Sequence, residues 1–394
     1  MSLTPSLALL WMRLGPYHLA RLQAAAALFS ARGIAVHGIE VAGTDSVYAW
    51  DAAPGADGFA RHTLFPASAY EDHSPREIAS AVMALLERLQ PGAVAINGWG
   101  VPEARAALRW ARRRGTRAVV MSETLDPGPG RNPAKELAKR WLVGQFGAAL
   151  VGGRPHADYV ERLGMPRDRV FRGYDVVDNE HFMRGADAAR ANDARLRAEL
   201  ALPPRYFFCN TRFLPRKNIA GVLRALALHR KRLGDRAWSL VISGSGETEA
   251  SDRALARELG PALGPGAVTW TGFLQYPELP ARYGLASAFV HAATHEPWGL
   301  VLNEAAAAGL PLLSSRAVGS AHELLEEGRN GLLFDPGSPE SIARAMDRMA
   351  LMPEGERRAM GEASRVIVGR WGPGRFARGL ARAVQAAAGR RSSP

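Results

Sequence analysis

The 394-residue chain has a single cysteine, Cys209, so no disulfide can form within it, and a thiolate metal site is disfavoured. We expect Cys209 to be a small apolar residue in a strand. No apolar run is long enough to span a bilayer. The N-terminus also lacks the basic and apolar segments of a signal peptide. These absences lead us to expect a cytoplasmic protein.

Several catalytic motifs are also missing. The sequence contains no Gly-x-x-x-x-Gly-Lys phosphate loop, no Gly-x-Gly-x-x-Gly dinucleotide fingerprint and no Gly-x-Ser-x-Gly nucleophile elbow. Its histidines are scattered without the spacing of metal ligands. We therefore expect neither a bound cofactor nor a metal site.

Basic residues exceed acidic ones, which gives a net charge of +12 and a pI near 10.4. No zinc finger, basic recognition helix or aromatic–basic RNA motif accompanies this charge, so nucleic acid is not an expected partner. Compositional bias, an anionic ligand and an anionic membrane surface remain as alternatives. Arginines at 109 and 112–114, and basic residues at 135, 139 and 140 beside Trp141, are either a solvated face or a peripheral membrane contact.

Strands alternate with helices in both halves of the chain. Residues 7–11, 17–31 and 34–41 read as a βαβ unit, and the same pattern restarts at residue 206. A polar stretch over residues 183–202 lies between the halves. We predict an α/β protein with two Rossmann-like, doubly wound domains, residues 1–183 and 203–371, facing each other across a cleft. The last helix, 373–390, follows a Gly-Pro-Gly break that lets it leave the second domain.

The stretch over residues 295–309 is the most informative one. It reads as a loop followed by a helix, with Glu296 in the loop and Glu304, separated from it by seven residues, inside the helix. Backbone N–H groups at the start of this helix form a ready anion site. Carboxylates for hydroxyl groups and a positive helix end for a diphosphate are what a sugar nucleotide requires.

A second motif, residues 210–218, also connects a strand to a helix. Arg212 and Lys217 lie in this motif, and two cations suit a diphosphate whose charge grows as its bond to a sugar breaks. The alternative is that both are solvated surface cations. A third loop, residues 243–247, contains Gly244, and small residues there allow a ligand to approach the backbone closely.

Taken together and in this order, Arg212 with Lys217, the Glu296-x7-Glu304 pair and the Asn-Gly-Leu-Leu-Phe-Asp-Pro-Gly run at 330–337 resemble the retaining glycosyltransferases of family 4. The resemblance covers most of residues 205–370. It implies the GT-B fold, with a nucleotide-sugar donor on the C-terminal domain and a final helix that returns to the first domain. Metal independence, a property of this family, also fits the absence of any Asp-x-Asp pair.

The resemblance also implies a role for individual residues. Arg212 and Lys217 fall where the family contacts the donor diphosphate, Glu296 where it contacts sugar hydroxyls, and Glu304 where it holds the ribose. The remaining implied contacts are the backbone of Trp298, Gly299 and Leu300, and Gly15 in the first-domain loop that approaches the phosphates.

The first domain departs from the family pattern. Its first loop has Gly15 followed by Pro16, where many members have two glycines. After the strand at 117–121, Glu123 lies in the vicinity where many members carry a histidine. His18 is either an acceptor-side residue or a packed helix residue, so the acceptor side stays open.

The expected function is transfer of a hexose from a UDP-, GDP- or dTDP-sugar to a hydroxyl of a glycan, lipid or small molecule, as in polysaccharide or glycoconjugate biosynthesis. Glu296 then positions the donor instead of acting as a general base. Two alternatives remain open: a nucleotide-sugar epimerase or hydrolase on the same fold, and a non-catalytic protein that binds sugar nucleotides.

Overall fold

The computed structural model describes residues 5–44, 58–126, 128 and 132–388. The chain divides into two compact units. The first consists of Met1–Val177 with Trp371–Pro394, and the second of Asp178–Arg370. Each unit contains its own parallel sheet with helices packed against it. The predicted α/β class with two doubly wound domains is therefore confirmed.

Within the described residues, the first unit contains seven strands and five consecutive helices before the chain enters the second unit. The strands are β1 (Ser6–Trp11), β2 (Ala35–Thr44), β3 (Ala60–Ala69), β4 (Ala93–Asn97), β5 (Arg117–Ser122), β6 (Ala148–Val151) and β7 (Val170–Arg172). The helices are α1 (Pro16–Ser30), α2 (Pro75–Leu89), α3 (Pro102–Arg114), α4 (Pro133–Val143) and α5 (Arg154–Arg162).

The first sheet has the order β3-β2-β1-β4-β5-β6-β7, and all its neighbouring strands are parallel. Successive residues of β1 enter different cores: Ala8 and Leu10 pack in one, Leu7 and Leu9 in the other. Burial on both faces explains why such strands read as continuous apolar runs. The strand order reverses between β1 and β4, so the carboxyl ends of these strands form a crevice where open α/β sheets bind ligands.

The second unit repeats this plan with six strands among the described residues, in the order β10-β9-β8-β11-β12-β13. The strands are β8 (Tyr206–Asn210), β9 (Ser239–Ser243), β10 (Val268–Gly272), β11 (Ala288–His291), β12 (Leu312–Ser315) and β13 (Gly331–Phe334). The helices are α6 (Asn179–Ala191), α7 (Asp193–Glu199), α8 (Ile219–Leu233), α9 (Glu249–Glu258), α10 (Gly260–Leu263), α11 (Leu279–Leu285), α12 (Leu300–Ala307), α13 (Ala321–Leu324), α14 (Pro339–Leu351) and α15 (Glu354–Val368). The strand order reverses between β8 and β11, and the loops after these two strands contain Arg212, Lys217 and Glu296.

The last helix, α16 (Pro373–Ala387), belongs to the first unit. Phe376 and Leu380 are fully buried there, and Phe376 packs 6.3 Å from the ring of Tyr174. Within the described residues α16 packs on a helix and strands of the first unit, and positions 389 and 390 of the predicted range lie outside them.

The division between the units falls after Val177, earlier than the polar stretch at 183–202 that the sequence suggests. That stretch is mostly helical, in α6 and α7. His181 stacks on Tyr276 at 4.2 Å, and the fully buried Phe182 meets Tyr276 and Tyr283 edge-on. These aromatic contacts attach α6 to the second unit, and nothing local in the sequence indicates such long-range contacts.

Two strands, β13 and β3, were not predicted. β13 is a four-residue strand paired with β12. β3 pairs only with β2 at the sheet edge, is mostly half-buried or exposed, and contains Pro66. An edge strand tolerates proline but has no continuous apolar pattern.

No helix among the described residues has both the length and the hydropathy needed to cross a bilayer.

Candidate functional site

The candidate site of the second unit is built from three loops, each of which leaves the carboxyl end of a parallel strand. They follow β8, β9 and β11, so they surround the point where the strand order reverses. The motif at 210–218, the Gly244 loop and the Glu296 loop thus meet at one edge of one sheet. This placement is typical of ligand sites in open α/β sheets.

Glu296 lies between two cationic side chains and a histidine. Its Oε2 forms an ion pair with the ammonium of Lys217 and lies 3.2 Å from Nη1 of Arg216 and 3.5 Å from Nε2 of His291. Only 7% of Glu296 is exposed. The contact with His291 is long and poorly aligned, so we treat it as electrostatic instead of as a strong hydrogen bond. We call Glu296, Lys217, Arg216 and His291 the Glu296 cluster.

The backbone around Glu296 is fixed as well. Its N–H donates to the carbonyl of Ala317 at 3.2 Å, and its carbonyl accepts from the N–H of Gly319 at 3.0 Å. Arg216 also donates to the carbonyl of His295 at 3.2 Å. These bonds hold the carboxylate in one position before any ligand arrives.

The charges of the Glu296 cluster follow from burial and proximity. Burial by itself would raise the pKa of Glu296, but the neighbouring His291 and the charge of Lys217 hold it well below its usual range. Burial lowers the pKa of Lys217, and the Glu296 carboxylate opposes that shift. Burial also lowers the pKa of His291. Glu296 is therefore a fixed anion near neutral pH, suited to accepting hydrogen bonds and a poor proton acceptor.

The second acid, Glu304, lies on α12 and is 1% exposed. Its Oε2 accepts hydrogen bonds from the hydroxyl of Tyr283 at 2.7 Å and from Nδ2 of Asn210 at 3.3 Å. Asn210 in turn accepts from the hydroxyl of Ser243 at 2.7 Å. Polar groups from the ends of β8 and β9 thereby orient the Glu304 carboxylate.

The start of α12 depends on Gly299 and Trp298. The φ angle of Gly299 is +89°, and a Cβ there would lie 3.1 Å from Cγ of Glu296 and 3.2 Å from Val318, so a larger residue would disturb the Glu296 carboxylate. The indole of Trp298 is fully buried and donates to Oδ1 of Asn303 at 2.8 Å. The first N–H groups of a helix, here beginning with Leu300, have no acceptor within the helix and are available to an anion.

Gly244 has a different reason to be glycine than the sequence suggests. Its φ is +130°, and a Cβ would lie 1.8 Å from the carbonyl oxygen of Thr211. The side chain is therefore excluded by the neighbouring loop itself. This close approach lets Phe213 donate its N–H to the carbonyl of Ser245 at 2.9 Å, which fixes the backbone that carries Arg212.

Asn218 connects the Lys217 loop to its surroundings. It has φ of +58°, and its side chain accepts from the N–H of Gly221 at 3.2 Å, as the N-cap of α8. Its amide donates to the carbonyls of Ala292 at 3.2 Å and Pro336 at 2.8 Å. Asn218 therefore joins the loops after β8, β11 and β13, which explains why the 330–337 motif accompanies Lys217.

In the first unit, Gly15 and His18 lie at the start of α1, and Nδ1 of His18 accepts the N–H of Gly15 at 3.1 Å. Burial and the charge of Arg21 lower the pKa of His18 to about 3. His18 is therefore neutral with its proton on Nε2, since Nδ1 accepts a backbone hydrogen bond. The ring is a structural cap of the Gly15 loop.

Glu123 follows β5 and is exposed. Burial raises the pKa of Asp175 well above its usual range. The nearby charge of Glu123 adds to this rise, and the charge of Arg21 opposes it. Arg21 is 2% exposed, donates to the carbonyl of Val176 at 3.2 Å and lies 3.6 Å from Asp175. These polar groups mark the carboxyl edge of the first sheet.

Sequence reasoning did not single out His291, Arg216 or Tyr283. A polar residue at the end of the apolar strand β11 was a usable signal for His291. Tyr283 lies on α11 and reaches Glu304 only through the tertiary fold, so no local pattern indicates it. Among the described side chains, no group of three or more His, Cys, Asp and Glu residues is arranged to hold a metal ion.

Comparison with known proteins agrees with this geometry. Residues 193–366 match the family described as glycosyl transferases group 1. A curated relative, the GDP-mannose-dependent alpha-(1-6)-phosphatidylinositol monomannoside mannosyltransferase of Mycobacterium tuberculosis, is 34% identical over 196 residues, which are 48% of this chain and 48% of the relative. The chain thus matches about half the length of such relatives.

Solved structures match almost the whole chain. Sucrose-phosphate synthase from Thermosynechococcus elongatus gives a TM-score of 0.74 at 18% identity, covering 97% of this chain and 98% of that one. Anabaena HepE, solved with UDP and glucose, gives a TM-score of 0.70 at 14% identity, covering 97% and 100%. At these identities the likeness shows the fold alone, and it confirms the predicted GT-B fold.

Proposed function

We propose that this chain, whose residues 193–366 match the glycosyl transferases group 1 family, is a glycosyltransferase that uses a nucleoside-diphosphate sugar as donor. One observation carries the proposal. The fixed Glu296 anion, its partner Lys217 and the N-terminus of α12 lie together at the switch point of the second sheet. A sugar diphosphate offers hydroxyl groups to a buried carboxylate and a diphosphate to the cationic site beside it.

The two glutamates hold different parts of the donor. Glu296, kept ionised by its cationic neighbours, accepts hydrogen bonds from hydroxyls of the sugar. Glu304 accepts hydrogen bonds from the ribose hydroxyls, in an orientation set by Tyr283 and Asn210. Side chains fixed in advance bind with little loss of conformational freedom.

The leaving diphosphate is stabilised by Arg212, Lys217 and the first N–H groups of α12. Negative charge grows on the diphosphate oxygen as its bond to the sugar breaks, and fixed positive groups in a partly buried site stabilise that change most. Without donor, Lys217 is paired with Glu296. A bound diphosphate adds a second anion beside Lys217, which raises the pKa of its ammonium and keeps it charged.

The transfer we propose retains the anomeric configuration. The bond from the anomeric carbon to the diphosphate oxygen breaks, the acceptor hydroxyl oxygen bonds to that carbon from the same face, and the acceptor proton passes to the departing phosphate oxygen. This step needs no carboxylate nucleophile, and the low pKa of Glu296 makes that residue a poor general base. Arg212, Lys217 and the helix end supply the positive charge, so we propose that the reaction needs no metal ion.

The names of similar proteins indicate which substrates to test first. The Mycobacterium tuberculosis relative is named for GDP-mannose and a phosphatidylinositol mannoside, and the Anabaena structure contains UDP. We propose that the donor is a nucleoside-diphosphate sugar, as in these two names, and that the acceptor has several hydroxyl groups. The first unit, with Gly15 and Glu123 at the carboxyl edge of its sheet, is the candidate for binding that acceptor.

The test is a transfer assay with labelled UDP-, GDP- and dTDP-sugars, with and without a panel of hydroxyl acceptors. We expect glycosylated product from one donor class, with the anomeric configuration retained by NMR of the product, and loss of product in Lys217→Ala. Rapid donor hydrolysis or epimerisation without any transfer would contradict the proposal.

A further inference from the structure

A surface groove of about 610 Å³ lies between α3 and α4 of the first unit, and none of the residues of the Glu296 cluster lines it. Its walls include four arginines, Arg105, Arg109, Arg112 and Arg113, and the ring of Trp141. We call it the α3–α4 groove. The proposed transfer reaction gives it no role.

The positive charge of this region is only partly neutralised. Helices α3 and α4 contain eight basic and two acidic residues, a difference of +6. Glu136 pairs with Lys139 of the same helix, and Glu87 of α2 pairs with Arg114. The other acid, Glu103, is buried and accepts from Tyr70.

The four groove arginines are accessible to an anionic partner. All four are exposed, and their spacing of four, three and one residues places them along one side of α3. Within the part of the chain that the structure describes, none of them pairs with a carboxylate, and Arg112 donates to Gln145 at 2.5 Å. The groove is therefore a cluster of uncompensated guanidinium groups.

Apolar side chains project beside these charges. Leu137 is 69% exposed and Trp141 is 66% exposed, the two highest values among the large apolar side chains of the described residues. They are four residues apart, so they lie on one side of α4. Keeping such side chains in water costs roughly 25 cal/mol for each Å² of apolar surface. Tryptophan is also the residue that best suits a membrane–water interface.

We propose that the α3–α4 groove docks on the surface of an anionic lipid bilayer. The arginines contact lipid phosphates, and Trp141 and Leu137 enter the headgroup region. A bilayer surface accepts both charges and apolar side chains, whereas a nucleic-acid backbone would leave Leu137 without a partner. The inference concerns the first unit and does not depend on the proposed transfer reaction.

The test is flotation of the full chain with phosphatidylcholine vesicles, with and without phosphatidylglycerol, at low and high salt. We expect binding only with phosphatidylglycerol and at low salt. Each basic residue near the surface contributes about fivefold to binding, so Arg109→Gln with Arg113→Gln weakens it about 25-fold. Trp141→Ala weakens it about tenfold or more, because its buried apolar area is lost.

Matched controls separate local docking from overall charge. Lys231→Gln with Arg236→Gln removes two exposed charges from the second unit, and Leu351→Ala removes an apolar side chain that is 50% exposed there. Both should bind vesicles as the wild type does. Equal losses in the controls, or no vesicle binding by the wild type, would overturn the proposal. So would tight binding of an oligonucleotide or of free glycerol phosphate through Arg109 and Arg113 without vesicle binding.

Discussion

Replacing Glu296 with glutamine changes the charge of the Glu296 cluster while keeping its shape. The wild-type carboxylate accepts from Lys217 and lies near Arg216 and His291. Glutamine fills the same space, so backbone bonds to Ala317 and Gly319 can persist. The variant therefore tests the anion itself, separately from the fold of the loop.

The effect on stability comes mainly from Lys217, whose side chain is 10% exposed. Removing one partner of a buried ion pair costs about 3–5 kcal/mol. Burial already lowers the pKa of Lys217, so the amine can lose its proton once the carboxylate is gone. We therefore expect Glu296→Gln to lower the free energy of unfolding by about 3 kcal/mol, the lower end of that range.

The effect on donor binding comes from the sugar. A hydrogen bond to a charged group contributes about 1.5–3 kcal/mol, so donor affinity should fall about 10- to 100-fold. Binding of the bare nucleoside diphosphate should change much less, because it lacks the sugar hydroxyls. Titration calorimetry with the sugar nucleotide and the diphosphate measures both effects on one protein sample.

The stability difference between wild type and Glu296→Gln also depends on pH. The folded-state pKa of Glu296 lies well below the ordinary value of 4.5. The ionised carboxylate therefore stabilises the folded state fully above pH 4.5, and this stabilisation declines as the pH falls below 4.5. Urea unfolding at pH 7 and under acidic conditions should show the gap between the two proteins narrowing.

The control for this variant is Glu354→Gln, which removes a carboxylate from an exposed pair with Arg358 on α15. Exposed pairs contribute little, so this variant should match the wild type. If Glu296→Gln had wild-type stability and bound the sugar nucleotide within about threefold of the wild type, the reasoning about the Glu296 anion would be refuted.

Four further outcomes are expected. Gly244→Ala should lower the unfolding free energy by about 3 kcal/mol or more in urea, because its Cβ would meet Thr211 in a left-handed backbone; a change below 1 kcal/mol would contradict this. Glu304→Gln should weaken sugar nucleotide and bare diphosphate alike, by about tenfold in calorimetry, because the ribose is common to both; an effect on only one ligand would contradict the ribose assignment. Arg21→Met should cost about 2 kcal/mol of stability through its lost bonds to Val176, with donor affinity unchanged. EDTA should leave initial transfer rates unchanged, and an absolute requirement for added Mg²⁺ would contradict metal-free transfer.

Local signals made part of the fold predictable. The start of α2 is one example: Ser74, Pro75 and Glu77 indicate a capped helix, and Ser74 and Glu77 exchange the expected hydrogen bonds at 3.3 and 2.8 Å. Cys209 is another, since it is buried in β8 and burial raises its pKa to about 12. Apolar strands and cap residues act over a few positions, so the sequence displays them directly.

Other features depend on contacts between distant residues. The edge strand β3 forms because β2 offers a free edge, and α6 joins the second unit through His181 and Phe182. The Glu296 loop was predictable as a motif, but its neighbours Arg216 and His291 lie outside it, in the loop after β8 and at the end of β11. Spacing within one segment cannot show which side chains of another segment will surround it.

The same limit explains the reinterpretation of Gly244. The sequence shows a glycine after a strand, which suggests room for a ligand. The structure shows that the carbonyl of Thr211 occupies the place that a Cβ would take, and the approach of a ligand to this backbone stays a prediction. A glycine is required where two loops approach each other closely and also where a ligand approaches the backbone closely. A single sequence therefore cannot distinguish the two cases.

The central claim is that Lys217 and the N-terminus of α12 bind the diphosphate of a sugar nucleotide beside Glu296. Titration calorimetry of the wild type and Lys217→Met with UDP-, GDP- and dTDP-sugars tests it most directly. We predict that one nucleotide class binds the wild type and that the variant loses about 30-fold or more in affinity for both the sugar nucleotide and its diphosphate. Wild-type affinity in a folded Lys217→Met protein, or no binding of any sugar nucleotide by the wild type, would contradict the claim.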